Sequence, residues 1–271
     1  MRKLFMLGIT LLISLVMLMS SCKKDEIKNR DNSGNSGSST TGQVIPNAVR
    51  DKDGNCYDAV QIGDYVWMAE NLRTTRFPDG EYIGVGADNI WSLPDGDINN
   101  VPVYGYLYDW NSVMYKAEEC EGDPLHKIVQ GVCPNGWHVP TVDDWGNFWN
   151  SVKGNSQNHC GGCQDNIAKA LASTTGWDST TVAYAPGNNQ HTNNATGFSA
   201  YPAGCSGNYF GIECGFWSTK DDFSDFPDYQ NNPDAYENQA LIFCFRYDVA
   251  YAWMHPQSKD SRSSVRCVRD Y

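Results

Sequence analysis

The sequence predicts a loop-rich α+β domain with little helix, held together by disulfides, and three observations lead there. Apolar residues are 41% and aromatic residues 13% of the 271-residue chain, enough material for a packed core. Only 19% of residues are charged, while Gly, Asn, Ser, Tyr and Trp abound, a mixture that suits strands and turns better than helical bundles. Ten Cys follow or belong to a leader that reads as an export signal, and an exported chain meets an oxidising compartment. The net charge of −12 argues against a nucleic-acid partner, because affinity for phosphate backbones comes from clustered Lys and Arg.

In chain order, Arg2 and Lys3 precede a run from Leu4 to Met19 that is apolar apart from Gly8, Thr10 and Ser14. This is the charged and apolar sequence of a secretory signal, too short to span a bilayer well. Ser20, Ser21 and Cys22 then resemble a bacterial lipobox, which predicts a signal peptide over 1–21 and a lipidated Cys22 at the new N-terminus. Several acyl chains on one residue make a stable anchor, since each buried CH₂ adds about 0.8 kcal/mol. The segment from Lys23 to Gln43 is rich in Ser, Gly, Asn and Thr, and predicts a flexible tether with a root-mean-square span of about 25 Å. Lys23, Lys24, Asp25 and Glu26 resemble the short charged export signals of Bacteroidetes surface lipoproteins, so the expected location is the outer membrane, at the cell surface.

Asp51 to Asn55 reads as a turn; its acidic spacing resembles the start of a calcium loop, but the Gly stands too early and no Glu closes it. Two short β runs, Tyr57 to Ile62 and Tyr65 to Ala69, flank Gly63-Asp64 and predict a hairpin. The clearest helix starts after Pro140: Thr141 and Asp144 form a near capping box, and Trp145, Phe148, Trp149 and Val152 share one face. A second, shorter helix is expected over 166–173. Further β runs are expected near Thr181 to Tyr184, Ala240 to Tyr247 and Ser263 to Val268, the second of them continuous in apolar character and therefore central.

Apart from Cys22, nine Cys remain, and the expected bridges draw on Cys120, Cys133, Cys160, Cys163, Cys205, Cys214, Cys244 and Cys267. Short separations point to Cys120 with Cys133 and Cys205 with Cys214. Cys160-Gly161-Gly162-Cys163 lacks both the second ligand pair of a zinc site and a thioredoxin-like setting, which leaves a structural bridge as its expected role. His138 has no nucleophile beside it in sequence, and it is expected to pack rather than to catalyse. No G-x-S-x-G, H-E-x-x-H or phosphate loop occurs, so no catalytic residue is assigned.

Across almost the whole region after the tether, a set of landmarks accumulates: Trp67-Met68-Ala69-Glu70-Asn71-Leu72, Tyr104-Gly105-Tyr106-Leu107-Tyr108-Asp109-Trp110, Cys133-Pro134-Asn135-Gly136-Trp137-His138-Val139-Pro140-Thr141, Thr196-Gly197-Phe198-Ser199-Ala200, Phe216-Trp217-Ser218 and Ser264-Val265-Arg266-Cys267-Val268-Arg269-Asp270. In order and spacing they resemble the Fibrobacter succinogenes major paralogous domain, often found in surface lipoproteins of Bacteroidetes and Fibrobacteres. The resemblance implies a single domain over 46–271 after a lipidated linker over 22–45. It also implies a C-type-lectin-like fold, related to that of formylglycine-generating enzymes, with two helices packed on short antiparallel strands.

One departure from the family pattern is an acidic insert from Asp221 to Asn238. By analogy with calcium-dependent lectins of that fold, Asp228, Asn231, Asn232, Asp234, Glu237 and Asn238 are expected as a ligand or calcium loop, and oxygen donors of this kind suit calcium. Phe223, Phe226, Tyr229 and Tyr236 interleave these residues, as a sugar face or a protein paratope would require. The resulting expectation is a non-catalytic, membrane-tethered binding module for a polysaccharide or a surface protein. The alternatives are a structural component of the cell envelope and, less favoured, an enzyme related to formylglycine-generating oxidases.

Overall fold

The computed structural model of the protein describes residues 42–84, 91–119, 127–205 and 208–271. The expected signal peptide, Cys22 and most of the tether therefore lie outside the described residues, as does Cys120. No helix among the described residues is long and apolar enough to cross a membrane. Residues 36–271 form one compact unit.

The strands are β1 (Val44–Arg50), β2 (Cys56–Ile62), β3 (Tyr65–Met68), β4 (Trp91–Ser92), β5 (Leu107–Asp109), β6 (Glu213–Trp217), β7 (Gln239–Arg246), β8 (Trp253–Ser258), β9 (Arg262–Ser263) and β10 (Val268–Asp270). They make three antiparallel sheets, ordered β1-β2-β3-β10, β4-β5-β9 and β6-β7-β8. Among the described residues the α-helices are α1 (Val101–Tyr104), α2 (Trp110–Val113), α3 (Val142–Gly154) and α4 (Ala168–Leu171), of which α3 alone exceeds a single turn. The class is mixed α and β with antiparallel sheets and few helices.

The first hairpin forms as its turn chemistry dictates. β2 and β3 pair with Ile62 opposite Tyr65, across a two-residue turn in which Gly63 adopts φ +64°. A Cβ at Gly63 would also collide with the Ser151 side chain of α3, so the position is closed to other residues on two counts. Helix α3 starts at an N-cap Thr141 whose side chain accepts from the Asp144 N–H, while the Asp144 carboxylate accepts from the Thr141 N–H at 2.8 Å. Its inner face buries Trp145, Phe148 and Val152 completely.

The strands separate two cores. Along β3, Val66 and Met68 face one core and Trp67 the other; along β7, Ile242 and Cys244 face the first and Phe243 and Phe245 the second. That is why β7 is continuously apolar: it is central in its sheet and covered on both sides. In the second core Trp145 stacks on Phe243, ring centroids 4.6 Å apart, and packs on Trp67 at 4.7 Å. Truncating a side chain of this size in such a setting costs about 3–5 kcal/mol.

Three local expectations are corrected. The second helix spans Ala168–Leu171 only, because the Ser173 N–H donates to the Ala200 carbonyl and Ala172 forms a parallel bridge with Ala200, which pulls the chain out of helical geometry. The run 181–184 is not a strand; Tyr184 has φ +66°, outside the β region. The disulfide framework is smaller and paired differently. Cys133 bonds to Cys267, 134 residues away, so it cannot pair with Cys120. Cys56 is disulfide-bonded as well. Cys160, Cys163, Cys205, Cys214 and Cys244 are free thiols. Cys214 turns into the aromatic core with its Sγ 3.7 Å from the Phe245 carbonyl, whereas Cys205 sits in a tight turn closed with Asn208.

Candidate functional site

The acidic insert joins β6 to β7 and is organised around its aromatic residues. Phe223 is buried and packs against Phe226 (5.0 Å) and Tyr236 (5.3 Å), while Tyr229 meets Tyr236 at 5.8 Å. Backbone turns close at Phe223–Phe226, Phe226–Tyr229 and Asp228–Asn232, and a 3-10 turn follows over Pro233–Tyr236. The aromatic residues thus anchor the loop through Phe223 and leave Tyr229 and Tyr236 half-buried at its rim.

Two lysines hold the insert to the body. Lys220 pairs with Asp225 at 2.9 Å, and Lys259, from the turn between β8 and β9, pairs with Asp221 at 2.7 Å. The Lys259 ammonium also lies 4.3 Å from the Trp110 ring centroid. The Asp222 carboxylate accepts from the Ser224 N–H at 2.9 Å, and this hydrogen bond lowers its pKa below the usual carboxylate value. Between these elements lies a cavity of about 490 Å³ whose walls include Asp222, Tyr229, Asp234, Tyr236, Glu237 and Lys259, a size that suits a small ligand or one or two sugar residues.

Of the residues expected from the sequence, Asp234 and Glu237 line this cavity. Asp228, Asn231 and Asn232 belong to the preceding turn, and the Asn238 side chain is turned to Asp260, to which it donates at 2.7 Å. Among the described residues no group of three or more His, Cys, Asp or Glu could hold a metal ion. Lys259 escaped the sequence reading because nothing in its spacing ties it to the insert; only the pairing of β7 with β8 brings it near.

His138 and Asp144 make the other notable polar pair. His138 Nε2 lies 3.1 Å from Asp144 Oδ2, which also accepts from the Thr141 hydroxyl at 2.8 Å. Burial would raise the Asp144 pKa, but hydrogen bonds from His138 and Thr141 outweigh it and the net shift is downward. The pair is buried and engaged in a helix cap, in keeping with a packing role for His138. Arg266 is buried too, while Arg269 lies over the Trp137 ring at 5.4 Å.

The model of the Fibrobacter succinogenes major domain matches residues 60–269. The chain belongs to this family. The match encloses β3, α3, the insert and Arg266, so the landmark segments and the insert are parts of one Fibrobacter succinogenes major domain. No curated protein and no solved structure matches the chain. Membership in this domain family specifies no activity, because function resides in the site rather than in the scaffold.

Proposed function

We propose that the protein is a lipid-anchored binding module whose acidic insert recognises a neutral polysaccharide. The observation that carries this reading is the insert cavity, where two half-buried tyrosines stand beside the carboxylates of Asp222, Asp234 and Glu237. Tyrosine rings take the C–H faces of sugars, and carboxylates accept from sugar hydroxyls; both are in place before a ligand arrives, which limits the ordering cost of binding. In this reading Cys22 carries the lipid and the domain stands outside the outer membrane on its Ser/Gly/Asn tether. The C-type-lectin-like fold belongs to the same proposal, supported by the single long helix packed beside antiparallel sheets and by an insert placed between two strands. A non-catalytic role is supported by the engagement of His138 in a helix cap.

The test is a screen of the full chain against neutral glycans. Saturable binding that Tyr229→Ala and Tyr236→Ala each weaken about tenfold would support the reading, that being the loss expected for one aromatic contact. Absence of binding to every neutral glycan, or binding that neither substitution moves, would overturn it in favour of a protein partner or an envelope role.

A further inference from the structure

We propose a second binding site, independent of the insert: a groove beside β1 that takes a carboxylate-bearing sugar, the acidic unit of a uronic-acid polysaccharide. The groove consists of two adjoining cavities. One, of about 420 Å³, is lined by Arg50, Lys52, Arg76, Val132 and Trp137 among others; the next, of about 390 Å³, shares Pro78 and Asn135 with it and adds Tyr115, Gln130 and the ion pair of Lys116 with Asp79.

Charge sets this groove apart. In a chain of net charge −12, the first cavity presents three cations against one carboxylate, Asp51. That carboxylate is already engaged: one oxygen accepts from the Asn55 N–H at 2.9 Å, the other from Asn55 Nδ2 at 2.8 Å and from the Tyr57 hydroxyl at 2.5 Å. Arg76 is neutralised by Asp53 at 3.2 Å and tied to the Gly80 carbonyl at 3.1 Å, so it serves as wall rather than ligand. Arg50 and Lys52 remain. Arg50 donates from Nε to the Gly54 carbonyl at 3.1 Å, which orients the guanidinium, and among the described residues neither Arg50 nor Lys52 has a carboxylate partner. Both stand on the Asp51–Asn55 turn or at its edge, and the hydrogen bonds of Asp51 fix that turn, so the guanidinium of Arg50 is oriented before an anion arrives while the exposed Lys52 ammonium swings in from a fixed backbone position.

The chemistry of the rest of the groove selects the anion. A guanidinium fork and an ammonium match one carboxylate, with charge-assisted hydrogen bonds from both. A nucleic acid would need many more clustered cations than this pair supplies. Along the second cavity Gln130 Nε2 is held by the Cys133 carbonyl and Asn135 Oδ1, and the Tyr115 hydroxyl by Asp79 and Glu81, which leaves Gln130 Oε1 and Asn135 Nδ2 to meet sugar hydroxyls and Pro78 to supply an apolar edge. Alternating polar and apolar surface of this kind suits the hydroxyl and C–H faces of the neighbouring sugar in an oligosaccharide.

The test is calorimetric titration of the full chain with a galacturonic acid oligomer, with the same oligomer fully methyl-esterified, and with a glutamic acid oligomer of equal charge. The acidic oligosaccharide is expected to bind saturably, the ester at least about tenfold more weakly for the loss of one charged hydrogen-bonded contact, and the peptide at least about tenfold more weakly for the loss of the sugar's hydroxyl contacts. Lys52→Gln, at an exposed position with no partner to lose, should weaken binding about tenfold, and the Arg50→Gln/Lys52→Gln double variant further, with unchanged near-UV circular dichroism. Tyr236→Ala should leave this binding unmoved, which separates it from the insert. Failure of the acidic oligosaccharide to bind, equal binding of the ester or of the peptide, or an unchanged Kd in the Lys52→Gln protein would each overturn the proposal.

Discussion

Arg266 and Asn71 lie 195 residues apart in the chain, yet the Arg266 Nε donates to the Asn71 Oδ1 at 2.7 Å in a site closed to solvent. The same guanidinium donates to the carbonyls of Met68 (2.8 Å), Phe198 (2.6 Å) and Ser199 (2.7 Å), with the Phe198 ring at 4.6 Å. One side chain thus ties the C-terminal segment to the end of the first hairpin and to the 196–200 loop. These four hydrogen-bond acceptors are neutral, and burial lowers the Arg266 pKa to about 9, a sign of how much the desolvated charge depends on those hydrogen bonds.

Replacing Arg266 with Met is expected to leave three carbonyls and the Asn71 amide without their donor and to cost at least about 3 kcal/mol. Arg266→Lys keeps the charge but cannot reproduce the fork, so it should lose more than half as much. Urea unfolding of the variants checks both; a Met variant as stable as the parent would refute the role of Arg266 as a tie.

Asp144→Ala removes the acceptor for the Thr141 N–H and hydroxyl and for His138 together, and should destabilise by about 2–3 kcal/mol at pH 7. The pH dependence follows from the lowered Asp144 pKa. A carboxylate with a lower pKa folded than unfolded contributes stability that is complete above its unfolded value, 3.8, and is lost as pH falls through the folded one. The stability gap between parent and variant should therefore shrink as pH falls below 3.8, and a gap that does not shrink in that range would contradict the assignment.

The parts of the fold written in local chemistry were legible. Thr141 and Asp144 announce the start of α3, Gly63-Asp64 the hairpin turn, and the unbroken apolar run after Gln239 a strand covered on both faces. Features decided by distant partners were not. The helix begun at Ala168 yields to a bridge with Ala200, and Cys133 finds Cys267 rather than a cysteine nearby, because tertiary approach overrides sequence separation. In the insert, alternating acids and aromatic residues marked Asp234, Glu237 and Tyr236, but Lys259 reaches the cavity only through the pairing of β7 with β8. The basic groove left no trace in the sequence, since Arg50 and Lys52 meet Trp137 only after folding.

Because the Cys133–Cys267 bridge closes a loop of 134 residues, it constrains the unfolded chain strongly. Cys133→Ser is expected to lower the unfolding free energy by about 2–5 kcal/mol, the upper end being the chain-entropy value for a loop of this length. Denaturation of the variant and parent under non-reducing conditions measures the difference, and equal midpoints would show that the fold does not rely on the bridge.

The five free thiols among the described residues should fall into two classes in a labelling experiment. Cys163 is exposed and Cys160 half-buried on the two sides of a Gly161-Gly162 turn, whereas Cys205, Cys214 and Cys244 are buried. Burial pushes the Cys205 thiol up to about 11, with the Glu213 carboxylate adding to the effect, and raises Cys214 and Cys244 as well. A thiolate is the reactive form, so these three are suppressed both by access and by protonation. Native protein treated with a maleimide at pH 7 is expected to label at Cys163 first and Cys160 more slowly, with Cys205, Cys214 and Cys244 labelled only after denaturant is added. Rapid native labelling at Cys244 would mean that β7 opens readily, and with it the boundary between the two cores.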